Sequence, residues 1–396
     1  MNMREEPLEC VEFMAPFNPR GDDYQTPSGS SHGSAAGIAS YNWLDFAIGT
    51  DTNGGGRKPA HYNGCFSVRP SRGVLNTSGV VRHFPQFDMP VVFGRDISKF
   101  YDFVSAWFAK TWSDADEPVQ VAIHAKWSDS ESTQSEGSQG EGSQGEKFQI
   151  LYPLDYFPVG NEAQTRLTDN FVKGLESALQ VKRTKIDLAA GWKADHPDGI
   201  ENDDIAQYLG LAVGRIYHHD AHHALVPFMQ EYQKTYGEAP FIHRSLREQL
   251  GIAKAISPLW RDWYWNRVVK YREWLLDTVF QRSDSEGIIT IMVLPVSDGK
   301  PFYREDEAHP PVLSGFDALY MAPIMGAPVV TAIVGETTYN SIVSQREEPM
   351  PVAVSVVAAP GKDFWLIDIV KRGMEAAGIP LEVKTGRSVY GDFEAR

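Results

Sequence analysis

Short apolar runs rich in β-branched residues alternate along this chain with stretches whose apolar positions recur at helical spacing. Phe148–Phe157 predicts a strand, Thr165–Leu179 an amphipathic helix, and Thr184–Leu188 another strand. Residues 203–233 carry a helical pattern. Ser245–Phe280 carries an aromatic stripe at roughly helical spacing (Trp260, Trp263, Tyr264, Trp265, Tyr271, Trp274), suited to core, to a dimer surface or to a pocket wall. Gly287–Leu294 (GIITIMVL) is apolar throughout and predicts a strand buried on both faces, ended by Pro295. Tyr320–Gly326, Val329–Val334 and Val352–Val357 read as later strands, and Phe364–Ala377 as a final amphipathic helix ending near Gly378. Earlier, small residues at Ser34–Ser40 predict a tightly packed helix, and Trp43–Gly49 a buried strand. The alternation predicts an α/β layer structure.

Two stretches break the pattern. Residues 1–27 hold Pro16, Pro19, Gly21 and Pro27 and read as an irregular N-terminal segment. Residues 126–147 are of low complexity, too polar to bury the surface that folding needs, and read as a disordered insertion in a surface loop.

Composition narrows the function classes. Hydrophobic residues make up 42% of 396, enough for a large core and against general disorder. A net charge of −15 disfavours nucleic-acid partners and anionic membrane surfaces. Cys10 and Cys65 are the only cysteines, which excludes a disulfide framework and a cysteine-based metal cluster. No apolar run approaches a membrane span, and MNMREEPLEC lacks a signal-peptide core, so a cytoplasmic location is the expectation.

The chemistry concentrates between Ser28 and Pro70, where a Ser/Gly segment enters one helix and Gly54-Gly55-Gly56 enters another. Helix starts leave backbone N–H groups unpaired, and glycine lets a ligand approach them; such a stretch suits an oxyanion or a carbonyl oxygen. The compound motif Ser-Gly-Ser-Ser-x-Gly-Ser-Ala-Ala followed by Gly-Thr-Asp-Thr-x-Gly-x-x-Arg-x-Pro-Ala resembles the amidase signature family. PFNPRGDDYQTPSGSS and SYNWLDFAIGTDT look most like fungal members, and HYNGCFSVRPSRGVL continues the match. The resemblance covers about residues 12–390 apart from the low-complexity insert, and implies a single domain over 1–396, with a signature core at 28–125 and a C-terminal half at 148–396. The implied fold is a mixed, twisted β-sheet covered by helices on both faces. Pro59–Val68 falls on the family's next strand, and residues 79–108 on a strand and helix, with Asp88 and Arg95 as loop and helix-start residues.

The same resemblance implies a Ser–Ser–Lys triad. The nucleophilic serine falls on Gly55, which cannot attack a carbonyl. The proton-relaying serine, after a cis peptide at Gly29–Ser30, falls on Ser30, with Ser31 as the alternative register. The lysine has no counterpart here; it lies in a segment that precedes this point in the family, so truncation and an incomplete gene model are both open. The amides of Thr52, Asn53, Gly54 and Gly55 match the oxyanion-hole positions. Asn53 replaces a glycine, at a turn expected to need left-handed geometry. Asp51 and Arg57 read as a structural pair, and Cys65 as a small buried hydrophobe.

His32, beside the relay serine, has an imidazole suited to acid–base work near neutral pH, or is a helix-start residue facing solvent; His61 is a more distant candidate. His218, His219, His222 and His223 lie at helical spacing, but without a third converging ligand they read as a solvated face or a pocket wall; no metal or other cofactor is expected. Three readings remain open. The first is an enzyme with repurposed, non-hydrolytic acid–base chemistry on a small molecule (cyclisation, isomerisation, dehydration or decarboxylation), fungal specialised metabolism being the analogy. The second is a non-catalytic binding or scaffolding subunit. The third is a residual amide or ester hydrolase using Ser30 or Ser31. The small-molecule substrate is unnamed by the sequence, and a homodimer is one way to cover surface the missing segment would otherwise bury.

Overall fold

The computed structural model describes residues 14–112, 147–280, 287–304 and 314–391. The low-complexity insert up to Glu146 and the first part of the N-terminal segment lie outside these residues.

In chain order the elements are α1 (His32–Ser40), β1 (Phe46–Asp51), α2 (Arg57–Asn63), β2 (Phe66–Arg69), β3 (Met89–Gly94), α3 (Phe100–Trp112), β4 (Lys147–Pro153), α4 (Glu162–Leu179), β5 (Arg183–Ile186), α5 (Leu188–Asp195), α6 (Ile205–Leu209), α7 (Ala212–Tyr236), α8 (Arg244–Ala253), α9 (Pro258–Trp274), β6 (Ile288–Pro295), α10 (Ala318–Met325), β7 (Val329–Asn340), β8 (Glu347–Ala358) and α11 (Asp363–Ala376). The eight strands form one sheet in the order β1-β3-β2-β7-β8-β6-β4-β5. β4 pairs parallel with β5 and β6; the remaining pairs are antiparallel. Helices cover both faces. On one, α3, α4 and α11 pack on Val68, Val92, Ile150, Ile291 and Val330. On the other, α5, α6, α7, α9 and α10 pack on Leu151, Met292, Leu294 and Val357. The mixed α/β fold expected from the sequence is present.

Three local expectations are corrected. Pro59–Val68 is not one strand: Pro59–Asn63 belongs to α2, Gly64 ends that helix with φ +57°, and β2 starts only at Phe66. Tyr320–Gly326 belongs to the helix α10, not to a strand. The run is apolar on every side, so it carries no period; the helix signals are at its ends, where Asp317 accepts from the Leu319 amide and Gly326 closes it with φ +69°. Trp43–Gly49 is not a buried strand: β1 starts at Phe46, lies at the sheet edge, and leaves Ile48 half exposed. Its outer edge is closed by α1, whose Ser34 hydroxyl donates to the Ile48 carbonyl at 2.7 Å. That contact occupies a backbone group an edge strand would otherwise offer to another chain. The aromatic stripe divides: Tyr271 and Trp274 are core, whereas Trp260 and Trp263 are exposed.

Arg20 fixes the irregular N-terminal segment to the signature region. It is 1% exposed, and donates from Nε to the Asn63 carbonyl (2.8 Å), from Nη2 to Gly64 (2.9 Å), and from Nη1 to Gly386 (2.7 Å) and Ser388 (3.0 Å). Burial lowers its pKa to about 10, which leaves it charged at neutral pH. Gly64 has φ +57° at the end of α2, and a Cβ there would meet Val389 at 2.4 Å, so only glycine fits. Arg20→Met removes the donor but leaves four carbonyls behind, three of them buried. The expected loss is about 2–4 kcal/mol of unfolding free energy, read as a lower urea midpoint at unchanged slope.

Candidate functional site

β1 delivers the chain into the loop Thr52–Gly56, and α2 leaves it. Asp51, fully buried at the strand end, holds this loop from beneath. Its carboxylate accepts from the amides of Gly54 (3.0 Å), Gly56 (3.0 Å) and Arg57 (3.2 Å), and from Arg57 Nε and Nη2 at 3.0 Å each. Arg69 Nε forms a further ion pair at 3.5 Å. Burial alone would raise the Asp51 carboxyl, but Arg57, through charge and hydrogen bonds, then Arg69 and the Gly54 amide hold it well below the usual carboxylate range. Arg57 Nη1 also donates to the Leu319 carbonyl of α10 (2.7 Å), and Arg69 Nη2 to the Phe87 carbonyl (2.7 Å). The structural reading of Asp51 and Arg57 holds.

These bonds decide which amides of the loop are already occupied. Gly54 was expected among the oxyanion donors, but its N–H is spent on Asp51. No hydrogen bond from the amides of Thr52, Asn53 or Gly55 reaches another described residue. The left-handed position falls on Gly54 (φ +119°), not on Asn53, so the asparagine does not obstruct the turn. The Thr52 hydroxyl is bonded to Asp88 Oδ1 at 2.5 Å.

The Gly29–Ser30 peptide is cis, in the position the resemblance implies. Ser31 is a structural residue: its hydroxyl donates to the Thr50 carbonyl and accepts from the Thr50 amide, both at 3.0 Å, and its own amide donates to the Gly55 carbonyl at 3.2 Å. With both hydrogen-bonding capacities committed to β1, Ser31 is a poor nucleophile or proton relay. Ser30 is exposed, and its hydroxyl bonds no described residue. A Cβ built at Gly55 would stand 3.5 Å from Ser30 Oγ and 3.1 Å from the Thr50 carbonyl oxygen. A serine hydroxyl at position 55 would thus reach Ser30. His32, half-buried, begins α1 beside them.

The other histidines are placed away from this loop or locked. His61 is fully buried in α2; its Nδ1 accepts from the Ala353 amide at 3.2 Å, and burial lowers its pKa to about 4. On α7, His219 is buried, donates to Asp220 (2.8 Å) and stacks on His223 at 4.2 Å, so the solvated-face reading fails for that residue. No cluster able to hold a metal ion occurs among the described residues, and none of their helices is long and apolar enough to cross a membrane. Sequence reading missed Asp88 as the partner of Thr52, and His83. The His83 backbone donates to Asp88, while its ring bonds the Tyr217 hydroxyl of α7 at 2.5 Å. These residues share no local motif; the sheet order brings them together.

Comparison with known proteins bears on the fold. The family model described as Amidase matches residues 10–178. "Amidase 1" of Oryza sativa subsp. japonica is 41% identical over 90 residues, 23% of this chain and 20% of the relative. The "Translocon at the outer membrane of chloroplasts 64" of Pisum sativum is 24% identical over 400 residues, 96% of this chain and 58% of that protein. The urea amidolyase of K. lactis superposes with a TM-score of 0.65 at 15% identity, over 95% of this chain and 20% of that one. Over residues 10–178 the chain is similar to the Amidase family, and along nearly its full length it shares the fold of the urea amidolyase structure. It spans a fifth to rather more than half of these relatives.

Two outcomes check the site. Ser31→Ala leaves the Thr50 backbone groups without their partner and lowers stability by about 1–2 kcal/mol, whereas Ser30→Ala shifts it by less than about 0.5 kcal/mol, measured by denaturant unfolding. The second concerns pH. His61 is neutral when folded but takes a proton near pH 6.5 when unfolded. Its contribution is therefore complete above pH 6.5 and is lost as pH falls toward 4, at about 1.4 kcal/mol per pH unit. His61→Gln should flatten the stability–pH slope in that window by about one proton; an unchanged slope would contradict the buried neutral imidazole.

Proposed function

We propose that this chain binds a small molecule through a carbonyl or carboxylate oxygen at the Thr52–Gly55 loop, and does not cleave amides through that site. The observation behind the reading is Gly55. The amides of Thr52, Asn53 and Gly55 donate to no described residue, while the position within reach of Ser30 carries no side chain. Backbone donors do not depend on side-chain identity, so oxygen binding outlives the loss of an attacking hydroxyl. The relative aligned over 96% of this chain is named for a translocon rather than for an amide-cleaving activity, which fits a fold kept for binding. The names Amidase 1 and urea amidolyase favour hydrolysis for those proteins; glycine at position 55 argues against carrying it over.

A second reading adds proton transfer. His32 stands two residues after Ser30 at the start of α1, where an imidazole could move a proton on a substrate whose carbonyl oxygen the loop holds. Non-hydrolytic chemistry such as isomerisation or decarboxylation would follow. Turnover of a carbonyl compound abolished by His32→Ala but retained in Ser30→Ala supports it; turnover indifferent to His32 removes it.

The test of the main reading uses a fluorophosphonate probe and a panel of simple amides. The wild-type chain should remain unlabelled at every serine and release no ammonia. Labelling of Ser30, lost in Ser30→Ala, would instead establish a hydrolase with a relocated nucleophile.

A further inference from the structure

Two carboxylates grip the loop. Asp51 holds its far half through the Gly54, Gly56 and Arg57 amides. Its near half has a different support. The Thr52 hydroxyl meets Asp88 Oδ1 at 2.5 Å, and the other oxygen of Asp88 accepts from the amides of His83 (2.8 Å) and Phe84 (2.9 Å). The Phe84 carbonyl in turn accepts from the amides of Phe87 (2.8 Å) and Asp88 (2.9 Å), which closes residues 84–88 into a tight turn. This turn is itself pinned on two sides. Arg69 donates to the Phe87 carbonyl, and the His83 ring bonds and packs edge-on against Tyr217, with ring centroids 4.7 Å apart. Phe84 is fully buried, so the turn has little freedom to move.

We infer, on the carbonyl-binding reading of this loop, that Asp88 is its positioning residue: by holding the Thr52 hydroxyl it orients the Thr52 and Asn53 peptide planes so that their amides face the ligand oxygen. The need for such a holder follows from the sequence. Gly54, Gly55 and Gly56 are consecutive, and a glycine run resists ordering more than any other. Thr52 is the last residue of the loop entrance with a side chain that can be gripped from outside, because Asn53 makes no side-chain hydrogen bond to a described residue. A hydroxyl bonded to an ionised carboxylate is stronger and more directional than a neutral pair. Asp88 does not touch the ligand in this account; it acts through Thr52.

The experiment uses the full chain, with benzamide as probe. Backbone amide signals of residues 52–55 are followed by NMR, first without probe for local order and then through a benzamide titration. Thr52→Val keeps the shape and removes the hydroxyl. It should lower the order of residues 52–55 and weaken benzamide binding roughly tenfold, and Asp88→Asn should move both readouts the same way. Thr52→Ser, which keeps a hydroxyl, should restore both. A merely structural role for Thr52 would not give this rescue, since serine fills less space than valine. Unchanged loop order in Thr52→Val and Asp88→Asn overturns the assignment. Wild-type benzamide that leaves these amide signals unmoved counts against the carbonyl-binding reading instead, while the order measured without probe still decides what Asp88 does.

Discussion

The buried Asp51 carboxylate is the interaction on which this site depends. It sits at the end of an edge strand and gathers three amides and two guanidinium groups around itself. A buried carboxylate with fewer partners would be costly or neutral; here the two arginines keep it ionised. The result is a loop whose backbone path is set without help from the side chain at position 55. Arg57 and Arg69 carry the same anchoring outward to α10 and to the turn before β3.

That independence lets position 55 be a glycine without disturbing the path of the loop around it. Ser31 adds to it, tying the start of α1 to β1 and to the Gly55 carbonyl. The first α1 residues and the Gly-rich loop are therefore one unit. Asp51 occupies one of the four loop amides that the motif suggests, that of Gly54.

Much of the fold was legible from periodicity and motif. Gly287–Leu294 is a buried central strand because a fully buried strand needs no alternation, and the amphipathic α4 and α11 follow their apolar spacing closely. α10 was misread because a helix apolar all round leaves no period to detect, and β1 was misread because edge position is a property of the sheet. The site was legible where it rests on contiguous residues: Ser30, Thr52 and Gly55 could be placed from the motif. Which amides are occupied, and the Thr52–Asp88 contact across 36 residues, depend on tertiary packing. Ser31 offered no local sign that both its hydrogen-bonding capacities go to Thr50.

The central claim is that the loop presents its Thr52, Asn53 and Gly55 amides to a ligand oxygen that nothing then attacks. A crystal structure of the chain soaked with benzamide tests it most directly. The account predicts an intact amide whose carbonyl oxygen lies about 3 Å from those nitrogens. Benzamide bound elsewhere, a loop whose amides turn inward, or a benzoyl ester on Ser30 would contradict it.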